Sequence, residues 1–302
     1  MTLAPLAVGA LLASASLVDE VRTSTAHRDF PAAERAVRAY QTQNGATAEI
    51  AAAISWLARG ELDAGRYDEA DAYAAEARRV ADHLPGVHEP DRDRWLATAL
   101  GAAIEVHAQV LAARGERTQA VAYLRGELAT FGKTGIGERI QKNINLFGLI
   151  GTSAPPLDEA NWLGPKPATL VSLRGHPVLL FFWAHWCPDC KAEAPVLAQI
   201  MRIYGPKGLV LIGPTKLYGY AAQGNPAAPA QETRYIDAIR HQFFASLSDM
   251  AVPVSAANFL AFGASTTPTL VLLDSNGIVR FYHPGVVSEA ELAGRIEALP
   301  KR

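Results

Sequence analysis

Residues 178–195 read V-L-L-F-F-W-A-H-W-C-P-D-C-K-A-E-A-P, and this stretch decides the fold. Its first six residues, 178–183, are all apolar, a run long enough for one buried strand and too short for an ordinary helix. Residues 191–204 then carry apolar side chains at helical spacing. The sequence therefore places Cys187 and Cys190 where a buried strand passes into a helix.

The two cysteines are spaced as a redox pair at such a junction. We expect Cys187 at the N-cap and Pro188 as the first helical residue, where the missing proline N–H costs nothing. The free N–H groups and the dipole of the helix then favour the thiolate of Cys187. The alternative is an inert, buried pair of thiols. Apart from a redox-active Cys187–Cys190 disulfide, the sequence predicts no cofactor.

The chain has 302 residues, enough for one large domain or two ordinary ones. Its 49% hydrophobic and 19% charged residues indicate a globular protein. A formal net charge of -2 gives no argument for a nucleic acid partner. No uninterrupted apolar run reaches the roughly 18 residues of a spanning helix, so we predict no stable membrane span.

The cysteine count also bears on metal binding. Both cysteines of the chain lie in the one motif, so a structural disulfide elsewhere is excluded. A structural zinc site usually needs four ligands, and neither a second C-x-x-C nor a close histidine pair is present. His185 could supply a third ligand, but we expect it at the strand end, facing away from the thiols. We therefore predict no metal site.

Residues 1–18 allow two interpretations. The stretch is apolar and small, and Ala13-Ser14-Ala15 fits the cleavage pattern of a secretory signal, but the positive n-region is missing. It is either an export signal or the first core helix.

Residues 19–148 are rich in Ala, Arg and Glu, a composition that favours an all-α domain. Within them, residues 56–85 resemble one tetratricopeptide repeat, with two weaker echoes on either side. The residues that carry this resemblance are small or aromatic: Gly65, Tyr67, Ala70, Tyr73 and Ala77. The alternative is a generic alanine-rich helical bundle. Both interpretations predict helix hairpins, and a repeat domain would offer a surface to a protein partner.

Residues 149–302 change to strands alternating with helices, which indicates an α/β domain. We predict strands at 169–171, 178–184, 209–213, 269–274 and 278–283, and helices at 188–204, 232–245, 255–262 and 289–299. Asn276-Gly277 between the last two strands is a strong hairpin signal. Residues 216–231 form a polar loop that is long for a compact domain, and therefore either functional or mobile.

With these residues laid out, the second half of the chain resembles the TlpA/ResA-like branch of the thioredoxin superfamily. The resemblance rests on Gly151, Ala154, Pro155 and Leu157, on the S-L-R-G…W-C-x-x-C-K-x-E-x-P stretch that begins at Ser172, and on T-P-T-L-V-L-L-D from Thr267. It implies a thioredoxin-like fold, a mixed central sheet flanked by helices. It also implies thiol–disulfide exchange outside the cytoplasm, in the periplasm or after secretion, with a cytoplasmic location as the alternative.

The resemblance and the chemistry together assign roles to the motif. Cys187, which we expect to be the more exposed thiol, is the candidate attacking thiol and Cys190 the resolving one. Glu193 stands where the branch carries a glutamate, so it is a candidate to handle the Cys190 proton, with a plain surface glutamate as the alternative. Asp189 departs from the branch, which usually has proline there, and its charge opposes the thiolate that the helix end favours.

Two further segments are expected beside the dithiol. Thr267-Pro268 resembles the family's cis-proline site, where the residue before the proline offers its backbone to an extended substrate. Trp186 either shelters the thiols with its ring or packs in the core.

The leading functional hypothesis is a thiol–disulfide oxidoreductase that exchanges disulfides with protein partners, with a helical domain for partner binding. By analogy with the branch, the expected direction is reduction of the partner's disulfide. The rival is a binding or scaffold protein that uses the repeat-like helices, with the thioredoxin-like half as a docking platform. Peroxide reduction ranks third, because no separate peroxidatic cysteine motif is present.

Overall fold

The protein is described here by a computed structural model that covers residues 16–300. Its contacts divide the chain into two compact units, with the division between Val110 and Leu111. Composition placed the boundary between residues 148 and 149 instead. The difference arises because α7, Gly137–Gly148, packs against α10, Ala256–Phe262, and against the last strand of the second unit.

The described part of the first unit is built from helices, as composition predicted. Ser16 caps the first of them with its side chain, so residues 17 and 18 belong to a helix, while residues 1–15 lie outside the described range. A hairpin of α3 and α4 turns at Gly65, whose φ of 74° favours glycine. The helices are α1 (Leu17–Ala26), α2 (Phe30–Asn44), α3 (Ala48–Asp63), α4 (Tyr67–Asp82) and α5 (Arg94–Ala113).

Helix α5 bears on the membrane prediction. By length and composition alone this 20-residue helix, with a mean hydropathy of 1.4, could cross a bilayer. However, 56% of the apolar stretch of this helix is buried within the protein, as in an ordinary core helix. The absence of a membrane span therefore stays a prediction.

The second unit contains the remaining helices and all the strands described between residues 16 and 300. Its helices are α6 (Arg117–Phe131), α7, α8 (Pro188–Tyr204), α9 (Pro229–Phe243), α10 and α11 (Glu289–Glu297). Its strands are β1 (Trp162–Leu163), β2 (Val178–Phe182), β3 (Val210–Ile212), β4 (Val252–Pro253), β5 (Thr269–Leu273) and β6 (Val279–Pro284).

The main sheet has the order β3-β2-β5-β6 and is mixed, as predicted. Strand β2 runs parallel to β3 and antiparallel to β5, and β5 runs antiparallel to β6. A second, two-stranded sheet pairs β1 with β4. All five residues of β2 are buried, because the strand has a neighbour on each edge and helices on each face.

Alternate residues of β2 supply two separate cores, as the two-residue period of a strand requires. Leu179, Phe181 and the following Trp183 face the core that contains α8. Leu180 and Phe182 face the opposite core, which contains α10. The start of α8 is thus fixed by a strand that is held from both faces.

Most element predictions are confirmed, and two are wrong. The hairpin at Asn276-Gly277 joins β5 to β6, and Gly277 has a φ of 70°. Residues 169–171 are not a strand: Thr169 instead accepts the Leu173 N–H through its carbonyl and the Ser172 N–H through its hydroxyl, which forms a turn. Helix α9 begins at Pro229, inside the predicted loop, because proline suits the first turn of a helix.

The contact between α7 and α10 depends on Gly263, which ends α10 in the left-handed region with a φ of 56°. A Cβ at this position would lie 2.2 Å from the Lys142 backbone nitrogen. That distance is far inside van der Waals contact, so only glycine allows the two helices to approach this closely.

We expect Gly263→Ala to lower the free energy of unfolding by about 2 kcal/mol or more, since overpacking adds to left-handed strain. The control is Gly224→Ala, which has a φ of 75° but nothing within 4 Å of the added Cβ. Urea denaturation of both variants measures the difference. Equal losses in the two variants would show that the α7 contact contributes nothing.

Candidate active site

Cys187 and Cys190 form a disulfide at the start of α8, with Cα atoms 5.3 Å apart. Cys187 is the N-cap, in extended backbone, and its Sγ accepts the Cys190 N–H at 3.0 Å. Pro188 is the first helical residue. The capping geometry expected from the sequence is therefore present. Cys187 Sγ would carry a negative charge in the reduced protein. It lies at the N-terminus of α8, where the helix dipole stabilises a thiolate.

Cys187 is nearly as buried as Cys190 in the disulfide form. The residue is only 2% exposed, against 0% for Cys190. Its sulfur is turned inward, toward Cys190 and the carbonyl of Thr267, instead of outward. The residues next to it, Trp186 and Pro188, are exposed, so Cys187 lies just beneath the surface.

The Thr267–Pro268 segment faces the disulfide. Its peptide bond is cis, and the Thr267 carbonyl oxygen lies 3.4 Å from Cys187 Sγ. The Pro268 carbonyl in turn accepts the Gly285 N–H at 2.8 Å, which ties the segment to the end of β6. The expected juxtaposition is thus present, while the use of this backbone by a substrate stays a prediction.

Glu193 is not a surface side chain, which excludes the plainer interpretation of this residue. It lies one helical turn beyond Cys190, is 3% exposed, and accepts the Val287 N–H at 3.3 Å through Oε1. Burial raises the pKa of the Glu193 carboxyl, and the charge of Asp189 adds to the rise, whereas the Val287 N–H opposes it. A carboxyl that holds its proton more tightly is suited to exchange it with a nearby thiol.

Trp186 is 46% exposed, so it is not a core side chain. Its ring meets the Tyr218 ring edge to face, with centroids 5.5 Å apart. Tyr218 belongs to the long segment between β3 and α9. The tryptophan before the dithiol is therefore supported by a segment that the sequence described only as functional or mobile.

A buried polar cluster that sequence reasoning missed lies beside this contact. His185 Nε2 is 3.3 Å from Glu232 Oε1, and both side chains are 1% exposed. Glu232 also accepts the N–H groups of Tyr218 and Gly219, at 2.5 and 2.8 Å. Burial lowers the pKa of His185. His185 and Glu232 are 47 positions apart in the chain, so no local sequence motif predicts their contact.

His185 packs against three tyrosine rings and hydrogen-bonds to Glu232. The rings of Tyr218, Tyr220 and Tyr235 surround it with centroids 5.4 to 5.6 Å away. Within residues 16–300, no group of three or more His, Cys, Asp or Glu side chains is arranged to hold a metal ion. Asp189 is exposed at the first turn of α8, and its charge contributes to the raised pKa of Glu193.

Comparison with known proteins shows what the second half of the chain is similar to. Residues 168–300 match the family described as a thioredoxin-like domain. The chain is 27% identical over 155 residues to the thiol:disulfide interchange protein DsbE of Pseudomonas fluorescens biotype C, which covers 50% of this chain and 78% of the relative. It is 44% identical over 61 residues to the soluble secreted antigen MPT53 of Mycobacterium tuberculosis, covering 18% of this chain and 35% of the relative.

Among solved structures, a putative thiol:disulfide interchange protein DsbE from Chlorobium tepidum is 23% identical. The alignment covers 49% of this chain and 96% of that structure, with a TM-score of 0.40. The predicted thioredoxin-like fold of the second half is confirmed by the family match and the observed sheet.

We expect the raised pKa of Glu193 to appear in the pH dependence of stability. A buried carboxyl whose pKa is raised on folding stabilises the protein while protonated and loses that contribution as pH rises through the folded pKa. Compared with Glu193→Gln, the wild type should therefore lose stability as pH rises from about 4, the ordinary range of glutamate. Urea denaturation between acid and neutral pH measures this. Parallel curves for the two proteins would contradict it.

Proposed function

We propose that this chain, whose residues 168–300 form a thioredoxin-like domain, is a thiol–disulfide oxidoreductase that reduces disulfides in protein substrates. The observation that carries the proposal is the Cys187–Cys190 disulfide at the N-terminus of α8, with Cys187 Sγ facing the Thr267 carbonyl. A helix N-terminus lowers the pKa of a thiol, and only the thiolate attacks a disulfide.

The reaction begins with both cysteines reduced. The Cys187 thiolate attacks one sulfur of a substrate disulfide, so a Cys187–substrate bond forms, the substrate bond breaks, and one substrate thiolate leaves. Cys190, once deprotonated, attacks Cys187 Sγ and forms the observed disulfide, which releases the second substrate thiolate. Two electrons pass from the dithiol to the substrate. A partner dithiol must then reduce Cys187–Cys190 to complete the cycle.

The backbone of Thr267 can position the substrate for attack by Cys187. An extended substrate that hydrogen-bonds to this segment would place its sulfur above Cys187, since the Thr267 carbonyl already lies 3.4 Å from Sγ. Pro268 is buried, while Trp186, next to Cys187 in the chain, is 46% exposed and can contact the substrate. Pro188 and Asp189 complete the exposed rim.

Glu193 is the proposed proton acceptor for Cys190. It is buried on the helix turn that follows Cys190, and its pKa is raised by burial, so it can hold the proton that the resolving thiol must lose. Its hydrogen bond to the Val287 N–H fixes the carboxyl in place.

The relatives support a location outside the cytoplasm. One is named a thiol:disulfide interchange protein DsbE and another a soluble secreted antigen. We infer that this chain likewise acts in an extracytoplasmic compartment, where protein disulfides occur. We further propose that the helices of the first unit bind a protein partner, because their hairpins offer the extended surface that repeat arrays use.

The direct test is reduction of insulin disulfides with dithiothreitol as electron donor. Cys187→Ser should lower the rate at least about 100-fold, since the attacking atom is lost. Cys190→Ser should instead accumulate a mixed disulfide between Cys187 and insulin, visible on non-reducing gels and by mass spectrometry. Wild-type protein that neither reduces insulin nor reacts with iodoacetamide at Cys187 after reduction would establish an inert buried pair.

Glu193→Gln should slow the resolving step by about 10- to 100-fold, because general base catalysis of Cys190 is lost. Single-turnover decay of the mixed disulfide measures this step, while the alkylation rate of Cys187 should stay at the wild-type level. Glu291→Gln, on the exposed first turn of α11, is the matched control. Equal decay rates in all three proteins would remove Glu193 from the mechanism.

A further inference from the structure

The segment between β3 and α9, residues 216–228, is held in place by hydrogen bonds and an ion pair. Glu232 Oε1 accepts the Tyr218 N–H and Oε2 accepts the Gly219 N–H. At one end of the segment, Lys216 forms an ion pair with Glu138 of α7. At the other, the Ala227 N–H donates to the Gly219 carbonyl at 3.0 Å. This segment, the 216–228 loop, is thus fixed from several sides.

Glu232 is the centre of this arrangement. Its carboxylate is fully buried in the first turn of α9, where the helix dipole favours a negative charge. A buried carboxylate is costly unless donors surround it, and here two backbone N–H groups and His185 Nε2 do so. The position of the 216–228 loop backbone therefore depends on the Glu232 side chain.

The loop in turn supports the residue that precedes the dithiol. The Tyr218 ring meets Trp186 edge to face at 5.5 Å and His185 at 5.6 Å. The Tyr218 hydroxyl has no hydrogen-bond partner among residues 16–300, so the side chain acts there through its ring. Trp186 immediately precedes Cys187. Its side chain is about half exposed, and the Tyr218 ring packs against it.

We propose that Glu232 is a positioning residue that makes the dithiol selective for polypeptide disulfides over small ones. It holds the 216–228 loop so that Tyr218 keeps Trp186 in place next to Cys187. Trp186 is next to Cys187 in the chain and the Thr267 carbonyl lies 3.4 Å from Cys187 Sγ, so a polypeptide bound at Cys187 would contact both, whereas a small disulfide is too short to contact both at once. This inference rests on the proposed thiol–disulfide exchange.

The chemistry of the side chain predicts which substitutions matter. Glutamine has one oxygen and one NH2 group, so Glu232→Gln must oppose a donor to a donor at either Tyr218 or Gly219. Tyr218→Ala removes the ring that meets Trp186, whereas Tyr218→Phe keeps it and loses only the unpartnered hydroxyl. Gln231→Ala, exposed on the preceding position of α9, is the matched control for Glu232.

The experiment compares two probes with the reduced protein, insulin and hydroxyethyl disulfide, through second-order rate constants under single-turnover conditions. Glu232→Gln and Tyr218→Ala should each lose at least about fivefold more rate with insulin than with hydroxyethyl disulfide. Tyr218→Phe should restore the selectivity that Tyr218→Ala loses, and Gln231→Ala should keep it. Hydrogen exchange should be faster at the Tyr218 and Gly219 amides of Glu232→Gln.

The outcomes separate the two proposals. Wild-type protein that reacts with neither probe would overturn the proposed function itself. An active wild type with equal losses on both probes in Glu232→Gln and Tyr218→Ala, or with no loss, would overturn the positioning role alone. If Glu232→Gln does not fold, the Tyr218→Ala and Tyr218→Phe pair decides, because a selectivity that survives loss of the ring contradicts the inference.

Discussion

The structure depends on one capping interaction, in which Cys187 Sγ accepts the Cys190 N–H at the start of α8. A cap of this kind satisfies a backbone donor that the helix itself leaves free. It also places the same sulfur in the positive field of the helix end. One contact therefore both begins the helix and prepares the nucleophile, and every other feature of the site serves to hold or to approach it.

The cap is held in place because β2 cannot move. Its five residues are buried, it pairs with β3 on one edge and β5 on the other, and alternate side chains enter two separate cores. Two further hydrogen bonds fix the exit from the strand: the Trp183 indole donates to the Gly213 carbonyl, and the Thr215 hydroxyl donates to the Trp183 carbonyl. The dithiol thus extends from a rigid base.

Two buried glutamates, Glu193 and Glu232, differ in the number of backbone N–H groups that donate hydrogen bonds to them. Glu193 receives one backbone N–H and feels the charge of Asp189, so burial prevails and its pKa rises. Glu232 accepts two backbone N–H groups, from Tyr218 and Gly219, and faces His185. The first environment suits a group that exchanges a proton, and the second holds the backbone of the 216–228 loop.

The sequence by itself determined the strand-to-helix junction, the hairpin at Asn276-Gly277 and the helical first half, because local patterns of apolar, turn and capping residues encode each of these. The mixed sheet was implied by the family resemblance. Only the tertiary structure decided that Cys187 lies beneath the surface, that Trp186 is supported by Tyr218, and that α7 joins the second unit through Gly263. The Glu232 cluster belongs with these, since its partners are far apart in the chain. Burial and long-range hydrogen bonds arise only when separate segments pack together, and no spacing along the chain encodes them.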